Sequence, residues 1–158
     1  MTAIVCTDRN WAIGHRNNLL FHIPADMARF RAITMGHVLL MGRRTFESLP
    51  GLLPGRAHVV LTRDAAFTHE GVTVCHSPEE GLAAARALGE GFVIGGGEIY
   101  AALLCECDRA LVTQVDTLDP AADTFFPNLD EHPQWHLVEA GEWQKSAGLR
   151  FRFCEYKK

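Results

Sequence analysis

The stretch GFVIGGGEIYAALL, residues 91–104, runs from a short apolar segment through three glycines into a segment with helical character. A short apolar run that ends at glycines is typical of a buried strand, so Gly91–Ile94 is predicted to be one. A helix is predicted from Glu98 to about Leu104. Gly95–Gly97, between them, let the backbone take positive φ or approach a ligand closely. Strand, glycine and helix in this order indicate an α/β sheet.

The same order occurs earlier in the chain. Val38–Met41 is an apolar strand, and Gly42-Arg43-Arg44-Thr45 leads into a helix that runs through Leu49. Two arginines at a helix N-terminus are unfavourable, because that end of the helix dipole is already positive. A bound anion would correct the balance, which makes this segment a candidate phosphate site, although arginines at a helix start are also often simply solvated.

The remaining elements complete a single domain over residues 1–158. Helices are predicted from Pro24 to about Met35 and, behind the capping box Ser77-Pro78-Glu79-Glu80, through Leu88. The pattern predicts a mostly parallel mixed sheet of about eight strands flanked by about four helices, with an antiparallel C-terminal hairpin. The further strands predicted are Thr2–Thr7, His58–Thr62, Gly71–Cys75, Arg109–Val115, Trp135–Trp143 and Leu149–Tyr156.

Two connections between these elements are unusual. Asp8–Ile23 has no helical or strand period and is long for a loop, which is typical of lids and binding loops, so we predict a mobile flap. A merely disordered loop is the alternative. Asp119–Asn128 is predicted to be irregular, with Phe125-Phe126-Pro127 plugged into the body of the protein.

The composition excludes several classes of protein. Hydrophobic residues make up 47% and charged residues 22% of the chain, and the net charge is -4, which argues against a general nucleic-acid or membrane-surface binder. The apolar runs are too short for a membrane span, and no signal peptide precedes Asp8, so we expect a cytoplasmic protein. Five cysteines without a CxxC pair indicate free thiols. Cys105 and Cys107 have no second ligand pair nearby, so no metal is expected.

A carboxylate shares a face with apolar residues on the helix that begins at Pro24. Asp26, Phe30 and Ile33 fall at i, i+4 and i+7 and so lie on one stripe. Either Asp26 complements the helix dipole and faces water, or the stripe lines a pocket in which Asp26 is the fixed anion. Position alone leaves the two interpretations about equal.

Thr113 and Arg63 add to the candidate site. Thr113 lies on one strand face with Leu111 and Val115, where its hydroxyl needs a hydrogen-bond partner, although threonine is also an ordinary strand former. Arg63 closes a strand, at the edge where open α/β sheets bind ligands.

Taken jointly, these segments resemble the dihydrofolate reductase family over nearly the whole chain. The segments that carry the resemblance are NWAIG (10–14), IPADM (23–27), MGRRTFESLPGLLPGR (41–56), VVLTR (59–63), FVIGGGEIY (92–100), Leu111–Thr113 and DTFFP (123–127). Several blocks in the right order and spacing make this resemblance specific.

The resemblance implies NADPH-dependent reduction of 7,8-dihydrofolate to 5,6,7,8-tetrahydrofolate, by hydride transfer to pterin C6 and protonation at N5. Asp26 matches the pterin-binding carboxylate, and Thr113 would join its hydrogen-bond network. Leu19 and Phe21 complete the implied catalytic set. Arg56 would bind the glutamate α-carboxylate as a fork. The other implied substrate contacts are Val5, Cys6, Met27, Phe30, Leu49, Leu53 and Ile94.

For NADPH, the resemblance implies a site along the glycine-rich strand ends. Arg43, Thr62, Arg63 and His76 would surround the 2′-phosphate, and the flap would close on the nicotinamide and exclude water. The implied cofactor contacts are Cys6, Ala12, Ile13, Gly14, Gly42, Arg43, Arg44, Thr45, Leu61, Thr62, Arg63, His76, Ile94, Gly95, Gly96, Gly97, Glu98, Ile99 and Tyr100.

Two departures from the family pattern stand out. Leu20-Phe21 replaces a proline and a tryptophan that many members carry, which removes an indole N–H. Cys6 stands where alanine is common and narrows the pocket slightly. Another NADPH-dependent pterin or riboflavin-pathway reductase of the same fold, and a non-catalytic NADPH or folate binder, are the alternatives. The expected partners are dihydrofolate and antifolate inhibitors, with no nucleic acid or membrane, and the protein is expected to be a monomer.

Overall fold

The computed structural model describes all 158 residues. Its twelve strands are β1 Thr2–Thr7, β2 Ala12–His15, β3 Asn18–Leu19, β4 Val38–Gly42, β5 Ala57–Leu61, β6 Val72–Cys75, β7 Gly91–Gly95, β8 Arg109–Val115, β9 Thr124–Phe125, β10 His136–Ala140, β11 Gln144–Ser146 and β12 Leu149–Lys157. Nine of them form one sheet, in which β10-β12-β8-β1-β7-β4-β5-β6 are neighbours in that order and β11 pairs with β12.

The sheet is parallel through its six strands β8-β1-β7-β4-β5-β6 and antiparallel where β12, β10 and β11 are added. β4 and β5, which are joined through a helix, are parallel, and β11 and β12, which are joined by a two-residue turn, are antiparallel, whereas β5 and β6 are parallel across a connection without a helix. The predicted fold class, a mostly parallel mixed sheet with an antiparallel C-terminal end, is confirmed.

Four α-helices cover the sheet: α1 Pro24–Thr34, α2 Arg43–Ser48, α3 Pro78–Leu88 and α4 Gly97–Leu103, the last followed by a 3-10 turn at Leu104–Glu106. The start of α3 follows its sequence signal, since the Ser77 hydroxyl accepts from the Glu80 amide at 3.1 Å. The Glu80 carboxylate in turn accepts from the His76 amide at 2.6 Å, one residue before the partner that a capping box predicts.

Residues of each strand alternate between two hydrophobic cores, one on each face of the sheet. Ala3 and Val5 of β1 face α3 and α4, whereas Ile4 between them faces α1 and α2. On the second face Phe30 and Ile33 of α1 pack against the core, as their spacing predicts. No helix of the structure has the length and apolar character needed to cross a membrane.

The predicted flap is more regular than its sequence suggests, and its prediction as a stretch without strands was wrong. β2 and β3 form a hairpin whose central residues Arg16 and Asn17 have φ of 49° and 65°, the positive values that a type I′ turn requires. β9 pairs with the other edge of β2, so the hairpin and the chain near residue 124 form a small three-stranded sheet.

Three further boundaries differ from the sequence prediction. Phe126 is buried, but Phe125 is 44% exposed, so only one of the two phenylalanines is plugged into the body. The predicted strand Trp135–Trp143 is shorter and its residues are exposed, because β10 lies at the edge of the sheet. A two-residue turn with positive φ at Ala147 and Gly148 joins β11 to β12.

Candidate active site

The carboxyl ends of six parallel strands meet along one edge of the sheet, and the candidate residues are distributed along it. The register pairs Met41 with Gly95, Gly42 with Leu61, and Leu61 with Cys75, so the glycine-rich turns and the ends of β5 and β6 lie side by side. On the other side of β7, Cys6 of β1 pairs with Thr113 of β8. Ligands of open α/β sheets bind at this kind of edge.

Asp26 lies at the middle of this edge and is held by Thr113. The Thr113 hydroxyl donates a hydrogen bond to Asp26 Oδ1 at 2.5 Å. Thr113 is buried, and Asp26 is half-buried in the first turn of α1, where Pro24 occupies a position that needs no amide donor. The carboxylate therefore turns from α1 toward the sheet instead of out to water.

The surroundings of Asp26 oppose its ionisation. Burial raises the pKa of the Asp26 carboxyl above its ordinary value, while the Thr113 hydrogen bond and the charge of Arg29 lower it. Beside it, burial and the Asp26 charge raise the pKa of the Cys6 thiol, which keeps that thiol neutral. Asp26 is thus a carboxyl with a proton affinity above that of a surface aspartate, facing a cleft.

A cavity of about 70 Å³ opens beside Asp26, between β1, the hairpin and the start of α1. Leu20 and His22 line it although neither was among the predicted site residues. Met27 is 58% and Leu19 66% exposed, so these two side chains form an open mouth and not a closed wall. The full lining is Cys6, Ile13, Leu19, Leu20, Phe21, His22, Asp26 and Met27.

Tyr100 closes the inner end of this region. Its hydroxyl donates to the Ile4 carbonyl at 2.6 Å, and burial raises its pKa far above the ordinary value, so it stays protonated. The pairing of β7 with β4 is irregular at Ile94. Val93 pairs with Leu40 and Gly95 with Met41, so Ile94 between them has no partner residue on β4. The side chain of Val5 belongs to the core on the α3 and α4 face, so only its backbone can reach the cleft.

The outer part of the cleft runs between α1 and the segment after α2. Phe30, Leu49 and Leu53 are half-buried and pack against the core on the α1 and α2 face of the sheet. Arg56 ends this apolar wall, where its guanidinium donates to the Pro54 carbonyl at 3.1 Å and to the Thr34 hydroxyl at 3.3 Å. Burial and the nearby Arg31 lower the pKa of Arg56, which indicates two cations close together at the mouth.

The glycine turns let three chain segments approach closely. A Cβ on Gly97 would come within 2.7 Å of the Thr124 methyl group, and one on Gly42 would reach 3.0 Å from Ile99. Gly95 has a φ of 126° and lies against Thr45, and its peptide bond to Gly96 is cis. The glycines therefore allow close packing between α4, β4 and the segment at Thr124, and Thr45 lies beside the turn.

The basic residues at this edge are not equivalent. The Arg43 guanidinium is already paired within the protein. It forms ion pairs with Glu47 at 3.2 Å and Asp64 at 3.0 Å and lies 4.4 Å from the centre of the Phe67 ring. Arg44 and Arg63 are exposed and take part in no ion pair, and Glu98 is exposed at the start of α4. His76 Nδ1 lies 2.9 Å from the Thr62 carbonyl, which holds the end of β6 against that of β5.

Two charged residues near the site went unnoticed in the sequence. Arg29 lies three residues after Asp26, and residues at i and i+3 of a helix are neighbours. The sequence could therefore have indicated that Arg29 lies close to Asp26. Asp8 is buried and accepts hydrogen bonds from the amides of Asn10, Ala12 and Asp119. The hydrogen bond from Asp119, which is 111 residues away, has no local signal in the sequence.

An apolar cleft with one partly buried carboxyl, next to a glycine-rich carboxyl edge with unpaired arginines, is typical of an α/β enzyme that binds a nucleotide. The dihydrofolate reductase family model matches residues 1–158. The dihydrofolate reductase of Mycobacterium tuberculosis (strain ATCC 25618 / H37Rv) is 45% identical over 150 residues, which are 91% of this chain and 89% of that one. The enzyme of Haemophilus influenzae is 42% identical over 144 residues, 90% and 87% of the two chains.

A solved structure agrees with these relatives. Dihydrofolate reductase from Enterococcus faecalis, complexed with NADP(H) and RAB-propyl, superposes with a TM-score of 0.87 at 32% identity and covers 99% of this chain and 94% of its own. This chain belongs to the dihydrofolate reductase family. It is an NADPH-dependent oxidoreductase that reduces dihydrofolate, and another reductase of the same fold is not favoured.

Proposed function

We propose that Asp26, held by Thr113, binds the pterin ring of dihydrofolate and controls its protonation. The observation that carries this proposal is the hydrogen bond from Thr113 to a half-buried carboxyl inside an apolar cleft. The ionised carboxylate accepts hydrogen bonds from the 2-amino group and N3 of the pterin, a donor pair that a planar two-oxygen acceptor matches. The negative charge of the carboxylate favours the protonated substrate, which accepts hydride.

The rest of the substrate extends from Asp26 along α1 to Arg56. Met27, Phe30, Leu49 and Leu53 supply apolar contacts for the pterin and benzoyl rings. Arg56 binds the glutamate α-carboxylate, because two of its donors are already fixed on Pro54 and Thr34 and the neighbouring Arg31 makes an anion favourable there. Cys6, Val5 and Ile94 form the inner wall, through the Cys6 side chain and through backbone groups.

The glycine-rich edge fits NADPH, whose nicotinamide supplies hydride to pterin C6. Gly95–Gly97 line the place of the pyrophosphate together with Thr45, whose hydroxyl lies 3.5 Å from the Cβ positions of Gly95 and Gly96. Arg44, Arg63 and Thr62 supply cationic and hydroxyl groups for the phosphates, and Arg43 and His76 flank them. Gly42, Leu61, Glu98, Ile99 and Tyr100 complete the wall.

The hairpin of β2 and β3 covers the nicotinamide side of the cleft. Ala12, Ile13 and Gly14 lie on β2, and β9 holds them in place. Leu19 and Phe21 lie where the hairpin meets α1, so their side chains exclude water from the place where N5 is protonated. Phe21 provides apolar bulk without a hydrogen-bond donor.

The direct test mixes purified protein with NADPH and dihydrofolate and follows the near-ultraviolet absorbance of NADPH. Loss of absorbance that requires dihydrofolate is expected, and its absence would refute the proposal. Asp26→Asn should lower turnover at neutral pH by about 10²-fold or more, the size of effect that general acid–base groups have. An unchanged rate in Asp26→Asn would contradict the assignment of this residue.

The cofactor assignment has its own test. Arg63→Gln should raise the KM for NADPH and leave the KM for NADH unchanged, since only NADPH carries a 2′-phosphate. Arg86→Gln is the matched control, because Arg86 lies on α3 and pairs with Glu106 away from the site. Equal use of NADH and NADPH by the unmodified protein would refute the 2′-phosphate site.

Three properties of the protein follow from the same proposal. We infer a cytoplasmic, reducing compartment, which the five unpaired cysteines support. The cleft around Asp26 suits diaminopyrimidine antifolates, whose cation would pair with the carboxylate. A monomer is expected and is checked by size-exclusion chromatography with light scattering.

A further inference from the structure

Arg29 lies one helical turn after Asp26, and both side chains reach the same pair of strands. The Arg29 guanidinium carbon is 4.2 Å from the centre of the Phe153 ring. Phe153 of β12 pairs directly with Thr113 of β8, the residue that donates to Asp26. Because neighbouring strands are only about 4.8 Å apart, the cation and the carboxylate lie over adjacent strands on the same face of the sheet.

The position of Arg29 is fixed by packing. The ring of Phe153 attracts the guanidinium by a cation–π contact, and Arg29 is half-buried. It acts on Asp26 through space, by charge, while the direct hydrogen bond to the carboxylate comes from Thr113. Partial burial limits the screening of this interaction by solvent and salt.

We propose that Arg29 is a positioning residue of the reaction, whose charge favours the ionised form of the Asp26 carboxyl and so sets the pH range in which the enzyme turns over. The inference rests on the proposed role of Asp26 in binding and protonating the pterin. Arg29 thus controls the Asp26 carboxyl from outside the substrate cleft and the cofactor edge.

The other groups that face Asp26 cannot take over this role. Cys6 of β1, Thr113 of β8 and Tyr100 of α4 are thiol or hydroxyl groups, and His22 lies at the exposed mouth. Arg29 is the one guanidinium among them. Arg29 itself faces Arg109, Cys154 and Glu155, and Glu155 is shared between Arg109 at 3.0 Å and Lys157 at 3.6 Å. No neighbouring carboxylate is therefore dedicated to Arg29.

The balance of effects on Asp26 gives the sign of the expected change. Burial raises the pKa of the Asp26 carboxyl, and Thr113 and Arg29 lower it. Without the Arg29 charge only the Thr113 hydrogen bond opposes burial, so the pKa of Asp26 should rise further. The reaction takes up one proton at N5, so the alkaline fall of turnover should then move to higher pH.

The test is a ¹³C NMR titration of the aspartate carboxyls in the intact protein without ligands, with Asp26→Asn used to assign the Asp26 signal. Arg29→Gln should move the Asp26 titration to higher pH, and Arg29→Lys should restore it, because lysine keeps the charge. Arg86→Gln removes the same charge on the opposite face and should leave the titration unchanged. An Asp26 titration that is the same in Arg29→Gln as in the unmodified protein would overturn the proposal.

Turnover provides the second measurement. In Arg29→Gln the ratio of kcat at alkaline pH to kcat at neutral pH should rise on the order of two- to fivefold, and Arg29→Lys should return it toward the original value. A loss of packing alone would lower kcat equally at every pH. If the NMR titration moves and the pH profile of kcat does not, the charge of Arg29 acts on Asp26, but its control of the pH range of turnover is refuted together with the role of Asp26 in protonation.

Discussion

The Thr113 hydroxyl donates to Asp26 Oδ1 at 2.5 Å and so joins the middle of β8 to the first turn of α1, residues 87 positions apart in the chain. This bond orients the carboxylate toward the cleft and favours its ionised form. It also uses one acceptor site of Asp26, and the remaining oxygen is free for a ligand. The pair therefore combines a structural tie between sheet and helix with the preparation of an anion for pterin binding.

Thr113→Val removes the donor and keeps the shape of the side chain. The bond is made within the protein before any ligand binds, so its loss acts on dihydrofolate only through the orientation and ionisation of Asp26, and the affinity should fall about two- to tenfold. The pKa of Asp26 should rise as well, since the bond lowers it. Fluorescence titration with dihydrofolate measures the affinity. Thr113→Ser restores the hydroxyl and should recover most of the binding, and equal affinity of the valine variant would contradict the role of the bond.

Asp26 should also make the protein less stable at neutral pH. Its pKa in the folded state is raised above the ordinary value of 3.8, so between 3.8 and the folded-state pKa the folded protein binds more protons than the unfolded chain. Stability therefore falls as pH rises through this window, and the loss is complete above the folded-state pKa. Asp26→Asn should raise Tm at neutral pH, and the gain should vanish below 3.8. A lower Tm for Asp26→Asn at neutral pH would contradict this sign.

The sheet could be predicted from the sequence because its strands have strong local signals. The apolar runs at Thr2–Thr7 and Arg109–Val115 have their predicted bounds, and the helix at Pro24 begins where proline favours a first turn. Buried parallel strands are continuous apolar segments in the sequence, and glycines mark their ends. The exposed edge strand β10 has no such signal, and its bounds were missed for that reason.

The hairpin and the electrostatics of the site could not be predicted in the same way. β2 and β3 are short, and β2 is stabilised by β9, a partner more than 100 residues away, so the local sequence shows no strand period. The functional importance of Thr113 depends on the position of α1 over β8, a tertiary relationship. The ion pair of Arg43 with Asp64 likewise depends on how α2 packs beside the chain that follows β5, whereas the pair with Glu47 is a local i, i+4 pair within α2.

Asp8 should stabilise the base of the hairpin. Its Oδ1 accepts from the amides of Asn10 at 2.8 Å and Ala12 at 2.9 Å, and its Oδ2 accepts from Asp119 at 2.9 Å. An asparagine has one carbonyl oxygen, so Asp8→Asn leaves at least one of these amides without a partner, at a cost of about 1–3 kcal/mol. Tm should fall about 2–4 °C for each kcal/mol lost.

Hydrogen exchange distinguishes this local effect of Asp8→Asn from a general one. The amide of Ala12 should exchange faster in the variant, whereas amides in β4 should change only with global stability. Asp108→Asn is the control, since Asp108 is 87% exposed. Unchanged protection at Ala12 would mean that Asp8 does not hold the hairpin.

Asp64 should weaken the binding of NADPH. Its carboxylate lies 3.0 Å from Arg43, and hydrogen bonding from the Ala66 amide together with Arg43 lowers its pKa, so it is ionised at neutral pH beside the proposed 2′-phosphate site. Asp64→Asn removes the repulsion and frees Arg43 toward the phosphate. The KM for NADPH should therefore fall about two- to fivefold while the KM for NADH stays constant, because exposed ion pairs are weak and only NADPH carries the 2′-phosphate. Equal changes for the two cofactors would place Arg43 and Asp64 outside the 2′-phosphate site, whereas Asp108→Asn, far from this edge, should alter neither value.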